Sequence, residues 1–374
     1  MDSTQRSVFQ PRTVLHPGET VMEYLEHYGW SQSDLARRAG LTPKTVSEIC
    51  SGKTSISPTT ALAFENVFQR PAHFWLNLQR GYDESSARSK YSHLLSQWEN
   101  WASKFPIKEM RDRQFSLPSG RSNVDALLAF FGVSSPESWS SVWQSSQVAY
   151  RQTRRSKTRE ESVAAWVREV EILADQFDLP AFDEKRLKSS IEELRKLTRV
   201  RAETILEPLQ EICSSAGVAV VLVPELPNTS ISGCARWMST KTALIGLTLR
   251  YKTDDQLWFT FFHELGHVVL HRKKQSFVVD NAAEDLNDRI IDPEMLILEN
   301  EANQFAADTL IPPQELAAFL RKNVFTNESI HDFAKDIGVG PGIVVGRLQH
   351  DHVLEQHQGN ALKQKINMAF RKES

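Results

Sequence analysis

Phe261-Phe-His-Glu-Leu-Gly-His267 is the segment around which the second half of this chain is organised. In a helix, positions i and i+4 lie one above the other, so His263 and His267 can turn a ring nitrogen to one ion. Glu264 projects beside them, placed to take a proton from water at that ion rather than to ligate. Phe259, Phe261 and Phe262 precede or flank the motif, and Val268, Val269 and Leu270 follow it, which marks a buried helix. Two histidines and an acid inside such a helix are costly without a partner. Two neutral imidazoles and one carboxylate suit zinc, which keeps a fourth position open for water, so Zn2+ is the expected cofactor.

A third ligand is needed. The longer pattern that adds a glycine and a third histidine is excluded, because Leu270 and Lys273 occupy those places. His271 lies eight residues beyond His263, about 12 Å along a continuous helix, and cannot share the ion unless the helix breaks. It is a candidate to steady a ligand or to face substrate instead. Downstream, Glu299-Asn-Glu301-Ala-Asn-Gln-Phe-Ala-Ala-Asp308 carries Ala302, Phe305, Ala306 and Leu310 at helical spacing. This spacing puts Glu301 and Asp308 near one face and Glu299 elsewhere. Glu301 is therefore the expected third ligand, with Asp308 orienting a histidine from behind.

Working outward, Val218–Val223, Ile231–Met238 and Ala243–Leu249 read as three short strands, punctuated by Pro224, Pro227, Asn228 and Gly233. Helical patterns occupy nearly everything else: His16–Tyr82, most of 84–214, and Asp254 onward. The fold class is mainly α with a small β-sheet (α+β). Three regions are expected: residues 1–83, an all-helical helix-turn-helix domain; residues 84–212, a helical middle region; and residues 213–374, the metal-site domain with C-terminal helices. Trp98, Trp101, Trp139, Trp143 and Trp166 of the middle region read as packing anchors between helices. The basic run Arg151–Arg159 reads as a solvated loop. The loop Lys273–Leu298 reads equally as a lid or substrate strap and as a disordered stretch.

The N-terminal region has its own local logic. Ser31 and Asp34 form a capping arrangement at a helix start. Leu35, Ala36 and Ala39 supply the packed face, and Gly40 suits the left-handed turn that ends the helix. Thr42 caps a second helix with Pro43 at its first position. Val46 and Ile49 point inward, leaving Lys44, Thr45, Ser47 and Glu48 outward, side chains of the kind that reach base edges and phosphates. Gln32, Thr42 and Lys53 complete the candidate DNA-contact set. Met1–Asp83 holds eight Lys/Arg and eight Asp/Glu. With no net charge to spare, binding to double-stranded operator DNA is expected from a homodimer that doubles the contacts.

An echo follows near the C-terminus: Ser329-x-x-Asp-Phe-Ala-Lys-x-x-Gly-Val-x-Pro341 repeats Ser31-x-x-Asp-Leu-Ala-Arg-x-x-Gly-Leu-x-Pro43. Its outward face is Gly342-Ile-Val-Val-Gly346, which calls for burial rather than base reading.

His16-Pro-Gly-Glu19, Ser31-Gln-x-x-Leu35-Ala-Arg-Arg-x-Gly40, Ser51-Gly-Lys53 and Phe74-Trp-Leu-Asn-Leu-Gln79 resemble the Cro-type (XRE) helix-turn-helix of HigA-like antitoxins. That resemblance implies operator binding and autoregulation. Phe262-His-Glu-Leu-Gly-His267, His271 and Glu301-Ala-Asn-x-Phe-Ala-Ala-Asp-x-Leu-Ile-Pro312 resemble the ImmA/IrrE family of zinc metallopeptidases. This second resemblance implies a zincin-like fold with His263, His267 and Glu301 on zinc and Glu264 as base. It also implies a protein substrate, a repressor or a toxin–antitoxin partner. Tyr251, Arg236 and His271 are candidates to support the oxyanion of such a reaction. A non-enzymatic antitoxin or repressor with a sensing or scaffolding metal domain is the alternative.

Composition narrows the setting. The 374 residues are 40% hydrophobic and 24% charged, with a net charge of −3, which excludes a disordered or globally basic chain. The longest apolar run, Gly217–Pro224, is far short of the roughly 20 residues a membrane span needs. Three cysteines without a C-x-x-C pair and an N-terminus without a signal-peptide pattern point to the cytoplasm.

Overall fold

The computed structural model describes residues 15–144, 159–248, 252–271, 276–280 and 293–366. It divides into two compact units, Met1–Trp98 and Glu99–Ser374.

The first unit is five helices: α1 (Pro17–Tyr28), α2 (Gln32–Ala39), α3 (Pro43–Cys50), α4 (Pro58–Phe68) and α5 (Ala72–Gln97). Local chemistry sets each boundary. Ser31 and Asp34 form a reciprocal capping box on α2, and Gly40 ends it at φ 64°. Thr42 caps α3 through a bond from the Thr45 amide, with Pro43 in the first turn. His16 caps α1 by accepting from the Gly18 amide at 2.9 Å. Gly18 is needed for a second reason: a Cβ there would collide with the Ile49 carbonyl at the end of α3. Val21, Leu35, Ala36, Val46, Ile49, Phe64, Phe68 and Trp75 form the core. Buried Gln79 ties α5 to the α3–α4 loop by accepting from the Ile56 amide.

The expected boundary between 83 and 84 falls inside α5. Asp83 accepts from Gln79 and Glu84 pairs with Arg88, each across one turn of a helix that runs on to Gln97. The unit ends after Trp98 instead.

The second unit begins with α6 (Glu99–Ala102), α7 (Ile107–Asp112), α8 (Asn123–Phe131), α9 (Pro136–Trp139), α10 (Glu160–Ala174), α11 (Glu184–Lys196) and α12 (Leu206–Ser215). These helices do not form a separate middle domain. Trp166 on α10 donates to the Val223 carbonyl, and Val170 packs where Gly246 leaves room, so α10 lies against the sheet. Trp139, Trp143 and Trp166 are buried in the interior of this unit. The basic run Arg151–Arg159 lies outside the described residues except for Arg159.

The sheet is β1 (Val218–Leu222), β2 (Ile231–Trp237), β3 (Ala243–Leu247) and β4 (Ser276–Asp280), in the order β1-β3-β2-β4. β1 runs parallel to β3, while β2 is antiparallel to both β3 and β4. β4 lies within the stretch expected to be a loop; Phe277-Val-Val279 is a short β-favouring run. One face of the sheet meets α10 and the other meets α13 (Asp254–Leu270), which carries the two-histidine motif. α14 (Pro293–Leu310) packs along α13, with Ala302 and Phe305 against Gly266. α15 (Pro313–Lys322), α16 (Asn327–Ile337) and α17 (Pro341–His350) close the unit.

The C-terminal echo of the helix-turn-helix is α16 and α17. Gly342, Ile343, Val344 and Val345 are buried, so this copy is a packing device. Gly342 and Gly346 make room for two acids, since a Cβ at either would press on the carboxylates of Asp254 and Asp255. Asp255 pairs with Lys363 at 2.7 Å, and Asp254 accepts from the Gln364 amide at 2.9 Å. Burial, helped by the adjacent Asp255, pushes the Asp254 carboxyl up to about 6 from the ordinary 3.8. A raised carboxyl pKa favours the folded state below about pH 4, and that contribution is lost as pH rises through 6. Asp254→Asn is therefore expected to be more stable than the parent at pH 7.5, by up to about 3 kcal/mol. Denaturant titrations should show the gap closing toward pH 4; a gap independent of pH would contradict the assignment.

Candidate metal centre

α13 spans Asp254–Leu270 because Asp254 and Asp255 favour its first turn and a continuous run of large apolar residues wants burial. Phe261, Phe262 and Leu265 face the core, and Gly266 admits α14 closely enough for the two helices to share a site. The His263 and His267 rings then look toward α14. His263 Nε2 and His267 Nε2 lie 3.0 Å apart. Glu299 places Oε2 3.2 Å from His263 Nε2 and Oε1 3.6 Å from His267 Nε2. Ligands at ~2.0–2.1 Å around a tetrahedral ion are separated from one another by about 3.3 Å, the middle of this range. Among the described residues, His263, His267 and Glu299 are the group placed to hold a metal ion.

Glu301, expected to be the third ligand, is not in this cluster. Its Oε2 lies 2.8 Å from His271 Nε2 instead. The reason is helical phase. Ala302, Ala306 and Leu310 are the buried residues of α14, and Glu299 continues that stripe three positions earlier. Glu301 stands one residue before Ala302, about 100° around the helix. Its side chain is 53% exposed against 26% for Glu299.

Charges agree with a metal donor set. Burial pushes His267 down to about 4, so it is neutral at pH 7. Burial pushes the Glu299 carboxyl up, but its closeness to the His263 and His267 rings outweighs this and holds it down at about 2. A neutral His267 beside an ionised Glu299 carboxylate leaves a negative centre that a cation completes.

Glu264 is fully buried, and neither carboxylate oxygen has a hydrogen-bond partner among the described residues. Burial, with the nearby negative Glu299, drives its pKa well above the ordinary carboxylate range. Such a group fits one that exchanges protons with a ligand the protein alone does not supply. Gly233 on β2 makes room for it, since a Cβ there would lie 2.7 Å from Glu264 Oε1.

Asn303 is the residue that sequence reasoning missed. Its Oδ1 lies 2.8 Å from His263 Nδ1, so the ring donates there and keeps Nε2 free. Asn303 is four residues after Glu299, on the same side of α14. The other expected helpers sit elsewhere. Strand alternation turns Gly233 toward α13 and Arg236 to the opposite face, where it pairs with Glu171 of α10. Arg236 therefore does not support an oxyanion. Asp308 accepts from Gln304, and none of its bonds among the described residues reaches His263 or His267. Tyr251 lies outside the described residues. His271, just past the end of α13, is buried and bonds to His267 Nδ1 at 3.0 Å.

On the first unit, Lys44 and Ser47 project from α3 into solvent, and Lys53 is exposed in the following loop. Thr42 and Thr45 bond each other at 2.8 Å in the cap of α3. Glu48 is half-buried and accepts from Thr54, while Gln32 reaches Met22.

Two family models match the chain: Helix-turn-helix over residues 21–75, and the peptidase family's IrrE N-terminal-like domain over residues 227–349. The chain belongs to the helix-turn-helix family at its N-terminus and carries an IrrE N-terminal-like domain behind it. Virulence-associated protein I of Dichelobacter nodosus is 37% identical over 71 residues, which are 19% of this chain and 66% of that protein. The uncharacterized HTH-type transcriptional regulator YddM of Escherichia coli (strain K12) is 30% identical over 71 residues, 19% of this chain and 76% of that one. A solved structure of an addiction module antidote protein of the HigA family from Coxiella burnetii shares 33% identity, covers 22% of this chain and 92% of that chain, and has a TM-score of 0.22. All three likenesses concern a region the size of the helix-turn-helix unit. The IrrE N-terminal-like domain encloses α13, α14 and the whole His263–His267–Glu299 cluster.

Proposed function

We propose that this chain is a DNA-binding zinc endopeptidase that cleaves a partner regulator, a repressor or a toxin–antitoxin protein. The observation that carries the reading is the His263–His267–Glu299 cluster with the Glu264 carboxylate, unpartnered among the described residues, beside it, inside a peptidase-family domain. His263, His267 and Glu299 would hold the ion, which supplies Lewis-acid activation of water and of the scissile carbonyl. Glu264 takes the proton from the attacking water and returns it to the departing amine. Its raised pKa favours the neutral acid that returns the proton to the departing amine. Asn303 fixes the ring of His263.

The helix-turn-helix supplies the second activity. α3 presents Lys44 and Ser47 outward, and Lys53 stands ready for a phosphate. Thr42 and Thr45 are committed to the cap, so their contribution is to set the pitch of α3. The family match and the transcriptional-regulator relative support operator binding in the cytoplasm, with a homodimer to double the few basic contacts. No described helix is long and apolar enough to cross a membrane.

The test is co-expression of the full chain with the proteins encoded beside it, followed by mobility-shift assays on its own promoter. Zinc-dependent loss of a neighbour and a promoter shift are the expected results. A promoter shift with every neighbour intact would favour the non-enzymatic repressor reading.

A further inference from the structure

α13 ends at Leu270, and the backbone of His271 leaves the helix at φ −119° and ψ 36°. That break turns the buried His271 ring to lie between two partners. Its Nδ1 is 3.0 Å from Nδ1 of His267, and its Nε2 is 2.8 Å from Oε2 of Glu301. We propose that Glu301 and His271 form a proton-ordered couple that holds His267 in the one tautomer able to bind metal through Nε2. The proposal rests on the reading of His263, His267 and Glu299 as a metal site.

The order follows from counting protons. A neutral imidazole that gives its Nε2 lone pair to an ion carries its proton on Nδ1. His267 therefore donates from Nδ1, and the atom it faces, His271 Nδ1, must be bare. With Nδ1 bare, His271 carries its proton on Nε2, where the Glu301 carboxylate accepts it. All three links are satisfied at once. The reverse order fails at both ends: His267 would carry a proton on the nitrogen that faces the ion, and bare His271 Nε2 would face a carboxylate lone pair. The negative charge of Glu301 thus selects the tautomer two rings away. His263 has no such couple, since its Nδ1 meets the neutral amide oxygen of Asn303. The two ligand histidines are consequently unequal, and His267 is the one whose basicity the protein reinforces. His271 and Glu301 are positioning residues; neither touches the ion.

The test uses the full chain labelled with 15N-histidine, zinc competition against a chelator, and imidazole nitrogen shifts of the zinc-loaded protein. His271 is expected as the Nε2–H tautomer and His267 with its proton on Nδ1. Glu301→Ala should weaken zinc binding by about 10–100-fold, the usual cost of losing an outer partner of a ligand. Glu301→Gln, whose amide oxygen can still accept, should recover part of that loss. Adding Glu301→Ala to His271→Gln should cost little more than His271→Gln alone. Unchanged thermal melts of the metal-free variants separate these effects from misfolding. A zinc-loaded parent with His271 as the Nδ1–H tautomer, or a Glu301→Ala protein with parental affinity, would overturn the couple and leave the metal site standing. A parent that takes up no zinc would overturn both.

Discussion

Replacing Glu264 with Gln is expected to lower the rate of peptide hydrolysis by about 10²–10⁴-fold, the range associated with a positioned general base, while zinc content stays at the parental level. The substitution keeps the shape of a side chain that fits under Gly233 and removes only its capacity to take a proton. It also removes a buried, unpartnered ionisable group, so the variant should be at least as stable as the parent. Cleavage of a quenched-fluorescence peptide library, with zinc measured on the same preparations, checks both halves. A variant with parental rates would assign the proton transfer to another group. A variant that loses zinc together with activity would make Glu264 a ligand rather than a base.

The second large effect concerns two glutamates separated by one residue. Glu299→Gln should nearly abolish zinc binding, a larger loss than the roughly 10–100-fold expected where only an outer partner is removed. It takes away the ionised member of the donor set, the group that makes the cluster attractive to a cation. Glu301→Gln should leave zinc bound at saturating concentration. Competition titrations of the two variants side by side check this ordering. The reverse ordering, with Glu301→Gln the more damaging, would return the third-ligand role to Glu301.

The contrast shows where a sequence is legible. The helix-turn-helix could be read almost residue by residue because its signals are local: Ser31 and Asp34 cap one another, Gly40 takes positive φ, and Thr42-Pro43 starts the next helix. The spacing of His263 and His267 is equally local, since one helical turn decides it. The third ligand depends instead on how α14 is rotated against α13. The spaced residues Ala302, Phe305 and Ala306 fit more than one rotation, and the deciding contact is Gly266 against Ala302 and Phe305. Arg236 was a poor oxyanion candidate for a similar reason: strand parity is fixed only once Gly233 is known to face Glu264. The boundary between 83 and 84 failed because a polar surface helix such as the second half of α5 has no apolar stripe to betray its continuity. Helix rise carries His271 past the ion only while the helix continues. That it reaches back to His267 needed the helix to end at Leu270, which no single residue there announces.

The most direct measurement is zinc-edge anomalous diffraction from crystals of the full chain. The expected result is one strong peak ~2.0–2.2 Å from His263 Nε2, His267 Nε2 and a Glu299 oxygen, with Glu301 still hydrogen-bonded to His271. A peak seated on Glu301, or none between α13 and α14, would contradict the account.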